Sequence, residues 1–409
     1  MGTYKDSGIE WVGEIPEEWN SDIAKNIFKE HKLRNDKNLE SNLLSLSYGK
    51  IVQKDIESLA GLIPESFSTY NIIQKDDIVL RLTDLQNDKR SLRTALCKED
   101  RGIITSAYLT LRLNTNNNAS YLHYLLHSYD VCKVFYNLGG GVRLGGSWSD
   151  VGKLHLLLPP IQEQTAIADF LDKKNAEIDA IIAKITQQIQ TLKDYRHSLI
   201  TQTVTKGLDK TVAYKDSGID ILGYVNRDYE IIRLRYLCNF TTGSQDTQDA
   251  DEDGQYNFYV RSPKILRTNK SDFNGTAILM AGDGVGAGKI FHYAEGEFGV
   301  HQRVYILHNF KRVNPKFLHS HMSSFFSIEI EKGSAKSTVD SIRLPMLQNF
   351  NVVVPPLQEQ AAIADFLDDK TAKINRIIAK KKQQLDIIKE HRKSLIYEYV
   401  TGKKRVKEY

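Results

Sequence analysis

The chain has 409 residues, of which 41% are hydrophobic and 26% charged, with a formal net charge of +4. That length holds two or three domains of ordinary size, no apolar run approaches the about 18 residues that span a bilayer, and the start "MGTYKDSGIEW" shows no signal-peptide core. The small net charge confines any nucleic-acid surface to local patches, and three scattered cysteines, Cys97, Cys132 and Cys238, point to reduced thiols in a cytoplasmic protein and not to a disulfide frame.

In chain order, the short motif "YKDSGIE" at residues 4–10 precedes an insert over residues 20–158. Within it, "DDIVLRL" (76–82) and "AYLTLRL" (107–113) predict strands, and "YLHYLLHSYDVCKVFYNL" (121–138) predicts an amphipathic helix. "PPIQEQTAIADFLDKK" (159–174) then opens a long segment. Pro-Pro is tolerated before a helix and not inside one. Apolar residues recur at Ile178, Ile182, Ile185, Ile189, Leu192 and Leu199, a heptad seam with Arg196 at the skipped place. A helix over residues 162–204 would be about 64 Å long at 1.5 Å per residue. Gly207 suits its C-terminal stop.

The whole order then returns. "YKDSGID" stands at residues 214–220, and a second insert over residues 230–354 contains the strand candidates "GTAILMAG" (275–282) and "QRVYILH" (302–308) and a helix candidate at 316–332. "PPLQEQAAIADFLDDK" (355–370) matches the first copy at 13 of 16 positions. Its seam runs Ile374, Ile378, Lys381, Leu385, Ile388 and Leu395, with Lys381 at an apolar place, and Gly402 follows.

Internal repeats take precedence over local patterns. The frame repeats but the inserts share no obvious run of identity, which reads either as one geometry presenting two surfaces or as an old duplication whose inserts drifted. Two seams in one chain favour an intramolecular pair over simple oligomerisation. A pseudo-two-fold relation makes that pair antiparallel. The expected fold is α+β: two globular domains separated by a pair of long antiparallel, coiled-coil-like helices. The expected segments are 1–158 (motif and first domain), 159–208 (central helix), 209–354 (second motif and domain) and 355–409 (C-terminal helix).

Positive signs of catalysis are missing. "AGDGVGAGKI" (281–290) resembles a phosphate loop, but Asp283 stands where a Walker loop needs glycine and Ile290 where it needs Ser or Thr. A dinucleotide fingerprint through Gly282, Gly284 and Ala287 should open a helix, and "KIFHYAEGEF" alternates like a strand. A hairpin loop fits better. Its glycines let backbone come close to something, a tight turn or a phosphate. His123 and His127 are four apart without the Glu of a zinc protease and read as a helix-surface pair. Glu30, His31 and Lys32 lack the partner of a nuclease motif.

Polar loops rich in Arg, Lys, Gln and Asn are candidates for DNA contact, with solvated loops as the alternative. In the first insert they carry Ser47, Tyr48, Lys50, Arg81, Gln86, Asn87, Lys89, Arg90, Arg93 and Arg143. In the second they carry Arg261, Ser262, Lys264, Lys289, His301, Gln302, Arg303, Lys336, Ser337 and Thr338. Residues 371–409 hold 12 Lys or Arg against 4 Asp or Glu, either a DNA-backbone contact or a solvated face.

Both "PPxQEQ…IADFLD" segments, both "SLI" helix ends and the "SGIEWVGEIPEEW" start resemble the specificity subunits of type I restriction–modification enzymes. The second motif copy, "SGIDILGYVNRDY", lacks the Trp and Pro of the first. The resemblance covers the chain in order. It implies two target-recognition domains, each reading one half of a bipartite, asymmetric double-stranded DNA site. It implies a helical spacer that sets the gap and docks two modification (methyltransferase) subunits. It places S-adenosylmethionine in those subunits, and ATP with Mg in restriction subunits when present, leaving this chain without cofactor, metal or membrane contact. Other readings are a specificity subunit of a methylation-only system, a coiled-coil adaptor without DNA binding, and a nucleotide-binding enzyme using residues 281–290.

Overall fold

The computed structural model describes residues 3–38, 40–55, 66–85, 88, 92–138, 145–333 (side chains to 331) and 341–406. Two compact units are present: residues 1–185 with 383–409, and residues 186–382. Both long helices, Ile161–Lys206 and Leu357–Val400, contribute to both units. The expected segments treated each helix as separate from its neighbouring domain, whereas each compact unit takes in part of both. Among the described residues, no helix is long and apolar enough to cross a membrane.

The first unit opens with a short hairpin, Tyr4–Asp6 against Glu14–Pro16. Asn20–Ile23 follows and pairs with the last strand before the helix, His155–Leu158. The insert is therefore closed at its neck by an antiparallel pair. Its main sheet orders the strands Phe28–Glu30, Leu109–Leu113, Ile78–Leu80 and Thr94–Leu96. Ala119–Val131 is a helix capped by the Asn118 side chain, which accepts from Tyr121 N at 3.0 Å.

The second unit repeats that plan. A short hairpin pairs Tyr214–Asp216 with Tyr224–Asn226, and the neck pairs Glu230–Arg233 with Asn351–Val354. The main sheet orders Asn239–Thr242, Val304–His308, Ala277–Ala281 and Phe291–Ala294, the same chain order as in the first unit. A second sheet orders Ile265–Thr268, Tyr256–Tyr259, Glu297–Val300 and Phe273–Asn274. The helix Pro315–Gly333 follows. Inserts without shared identity thus share a sheet topology, because burial pattern constrains a strand more than residue identity does.

"PPxQEQ" has a physical reason in each unit. Gln164 is buried; its Oε1 accepts from Asn118 N (2.9 Å) and its Nε2 donates to Pro159 O (2.9 Å). Gln360 does the same with Asn314 N (2.7 Å) and Pro355 O (2.7 Å). One side chain therefore ties the start of a long helix to the start of the domain's helix. The Glu before it takes the short motif: Trp19 Nε1 donates to buried Glu163 at 3.0 Å, and Tyr229 O–H donates to Glu359. The second motif's loss of Trp thus changes the donor and keeps the contact. Gly207 and Gly402 end the helices at φ 80° and 72°. A Cβ at Gly207 would lie 2.3 Å from the Tyr229 hydroxyl, and one at Gly402 would lie 2.4 Å from Pro16 Cδ.

Within each unit the helices run antiparallel. In the first, Glu163 meets Arg405, Phe170 stacks on Tyr399 (4.5 Å) and Asp179 meets Arg392. In the second, Gln188 accepts from Lys381 (2.7 Å) and Asn375 accepts from Arg196. Ile178, Ile189, Ile374 and Ile378 are buried; Ile182, Ile185, Leu192, Leu199, Leu385, Ile388 and Leu395 are half-buried. Lys381, the polar place in the second seam, is satisfied by Gln188.

Candidate nucleic-acid interface

In the second unit, three chain segments converge. Arg261 follows the strand Tyr256–Tyr259, Arg303 precedes Val304–His308, and Asp283 lies in the loop joining Ala277–Ala281 to Phe291–Ala294. That loop is the expected hairpin connection. Backbone bonds hold the convergence: His301 N donates to Tyr259 O (3.0 Å) and Gly282 N to Arg303 O (2.9 Å). Arg261 Nη1 donates to Asp283 Oδ1 at 3.0 Å, and Arg303 Nη1 to Asp283 Oδ2 at 2.6 Å. Burial pushes the Asp283 carboxyl up, but Arg303 and Arg261 outweigh it and hold it below its ordinary value. The two arginine side chains remain 42% and 63% exposed.

The glycines of this loop serve the arginines. A Cβ at Gly282 would stand 2.9 Å from Arg303 O, and one at Gly286 would stand 2.7 Å from Arg261 O. The backbone that comes close is therefore the chain's own, on either side of Asp283. An open concavity of about 430 Å³ is bordered by Thr247, Val260, Arg261, Leu266, Asp283 and the loop, with Val285 fully exposed.

Gln302 is exposed and donates through Nε2 to Asp246 Oδ2 at 2.9 Å. His301 needs correction as a contact residue. It is 2% exposed, its Nδ1 accepts from Arg303 N at 3.0 Å, and burial holds its pKa below the ordinary value. It is a prop under Arg303. Lys264 is exposed, Ser262 is half-buried and donates to Lys264 O (3.3 Å), and Lys289 pairs with Glu331 (2.8 Å). Lys336, Ser337 and Thr338 lie outside the described residues.

In the first unit, Leu44–Ser47 and Lys50–Gln53 form a two-residue hairpin. Its turn residues Tyr48 and Gly49 both have positive φ (48° and 76°), the type I′ geometry that matches strand twist. Tyr48 is 90% exposed at the tip. Lys50 Nζ reaches Asp179 on the long helix at 2.8 Å. Arg81 is half-buried and pairs with Asp88 (3.2 Å). Gln86, Asn87, Lys89, Arg90 and Arg143 lie outside the described residues.

Arg93 also needs correction. It is fully buried. Its guanidinium donates to the carbonyls of Arg81 (3.1 Å), Thr83 (2.8 Å), Asp84 (3.2 Å) and Asp88, and to the Tyr136 hydroxyl (3.2 Å). Its backbone N–H donates to Asp130, whose carboxyl burial pushes up to about 6. Arg93 folds its own loop and has no spare donor for a base. His123 and His127 are likewise not a surface pair: both are half-buried, and burial presses their pKa values down to about 3 and about 4.

Sequence reading missed Asp283 and Asp246. Asp283 was visible as the residue that breaks a Walker loop, an acid between glycines, but its partners lie 22 and 20 residues away. Among the described residues, no group of three or more His, Cys, Asp or Glu could hold a metal ion. What the second-unit cluster offers is a set of outward donors on fixed acceptors, the chemistry of base-edge reading.

A family model described as "Type I restriction modification DNA specificity domain" matches residues 226–386. The specificity subunit of the type I restriction enzyme EcoDI from Escherichia coli is 28% identical over 169 residues, 41% of this chain and 37% of that one. The MjaVIII specificity subunit from Methanocaldococcus jannaschii is 26% identical over 274 residues, 61% of this chain and 62% of that one. These matches span less than two thirds of either relative. A chain solved in work on complex assembly and conformational transition of the type I R-M system superposes with a TM-score of 0.63 at 16% identity, covering 94% of this chain and 98% of that one; the likeness is one of fold. Residues 226–386 of this chain thus match the type I specificity-domain model, and the curated relatives it resembles are named specificity subunits of type I restriction enzymes.

Proposed function

We propose that the chain recognises a bipartite, asymmetric site on double-stranded DNA, each domain reading one half, and docks the subunits that act there. The observation that carries this is the second-unit cluster of exposed Arg261, Gln302 and Arg303 on fixed carboxylates, set in a scaffold that the first unit repeats. Arg and Gln are the side chains that reach guanine and adenine edges with paired donors and acceptors.

Docking of two copies of one partner has its own support. Ile161 and Leu357, 196 residues apart, are both exposed, and so are Ile181 and Ile377 at the same offset. Exposed apolar residues at equivalent places of both copies fit a partner that binds twice. In this reading two modification subunits bind there and bring S-adenosylmethionine. Restriction subunits, where present, bring ATP and Mg, and the complex works in the cytoplasm.

The test is coexpression with the modification subunit in a host lacking both, followed by methylation mapping at single-base resolution. The expected result is a two-part adenine-methylated motif that vanishes when this chain is omitted. A soluble complex with no motif and no salt-dependent DNA binding would make the chain a protein–protein adaptor instead.

A further inference from the structure

Arg261 and Arg303 share one carboxylate: each spends one nitrogen on Asp283, which is itself fixed. Asp283 is fixed by the backbone of the residue before it, through Gly282 N to Arg303 O (2.9 Å) and Ile342 N to Gly282 O (2.7 Å). Only Nη1 of each arginine is used, at 3.0 Å and 2.6 Å. Among the described residues, neither guanidinium has another hydrogen-bonded partner. Both guanidinium groups end on the two oxygens of one carboxylate, so they can address the same or neighbouring base pairs, which are 3.4 Å apart along a strand. A guanidinium with one edge fixed and one edge open presents two parallel N–H groups, the complement of guanine O6 and N7. Lysine cannot supply that fork.

We infer that Arg261 and Arg303, positioned by Asp283, form a guanine-reading fork, so that the half-site of the second domain contains at least one G·C pair. Gly282 and Gly286 are part of the device, since a side chain at either would push the loop off the arginine backbones. Arg303 takes its backbone direction from His301, which accepts its N–H at 3.0 Å. Asp283 is a positioning residue: it touches the arginines and not the base.

This inference rests on the proposed DNA recognition, and the test separates the two. The complex with the modification subunit is assayed by binding to duplexes carrying its mapped site. Each guanine in turn is replaced by 7-deazaguanine, which keeps base pairing but lacks the N7 acceptor. The wild-type complex is expected to lose roughly 5- to 150-fold in affinity at one guanine or at two neighbouring ones. Arg303→Lys and Arg261→Lys keep the charge and the salt dependence. At least one of them is expected to bind normal and 7-deaza duplexes alike. Asp283→Asn should shrink the same discrimination without moving it to another base, and thermal unfolding of each variant shows that the unit is intact. A site without guanine, or a wild-type complex indifferent to every replacement, overturns the fork. So do lysine variants that discriminate as the wild type does. A complex that methylates no defined site overturns the recognition reading, and the fork with it.

Discussion

Arg93 sits in a loop whose composition reads as a DNA surface, yet its guanidinium points inward to the carbonyls of Arg81, Thr83 and Asp84. Arg303 has much the same local sequence character and stands 63% exposed. The difference lies in which carbonyls the fold leaves unpaired. A loop that folds back leaves backbone acceptors away from water, and one buried arginine satisfies several at once. Arg93→Ala is therefore expected to cost on the order of 3 kcal/mol, because it orphans those carbonyls and empties the space. Arg303→Ala should leave stability nearly unchanged, as surface substitutions do. Chemical denaturation of the two variants checks this; equal effects would mean that Arg93 is not the prop of its loop. Local sequence carries residue type but not direction, which is why Arg93 and His301 were read as contact residues.

The elements were more legible. The seam and the Pro-Pro entry predicted a helix over residues 162–204, and the helix is Ile161–Lys206. Strands expected near residues 76–82, 107–113, 275–282 and 302–308 are Ile78–Leu80, Leu109–Leu113, Ala277–Ala281 and Val304–His308. The skipped place of the seam has a use that periodicity could not disclose. Arg196 donates to Asn375 across the pair, and Arg392, 196 residues later, donates to Asp179. Each polar pair lies beside the apolar stripe, with Asn375 exposed and Asp179 42% exposed, and favours one register of the two helices over a slid one. Exposed pairs of this kind contribute little to stability. Arg196→Leu combined with Asn375→Leu should change stability by less than about 1 kcal/mol, read as a nearly unchanged unfolding temperature. A clear fall would show that the pair stabilises the helices and does not merely align them.

For the whole molecule, the repeated frame supports treating the proposed recognition of DNA and the spacing of its half-sites as separable. The main sheets share one strand order, and both helix starts are tied to their domains by equivalent glutamines, Gln164 and Gln360. Removing seven residues from each long helix takes out two turns at the coiled-coil repeat and returns the seam to its face. That double deletion is expected to change the gap between the methylated half-sites and leave both half-sites intact, as methylation mapping would show. Altered half-sites would mean that the helices help to read DNA.

Repetition is written in the order of residues, and so are periodicity and the stops that end helices, because each depends on spacing along one segment. From these the long helices, the duplicated frame and the α+β inserts were readable before any coordinate. Which polar groups face outward was not. Asp283 meets Arg261 and Arg303 only after three segments have been brought together by strand pairing, and Gln164 meets Asn118 across 46 residues. A charged side chain goes wherever its buried partners leave it a place, and those partners are supplied by the tertiary fold.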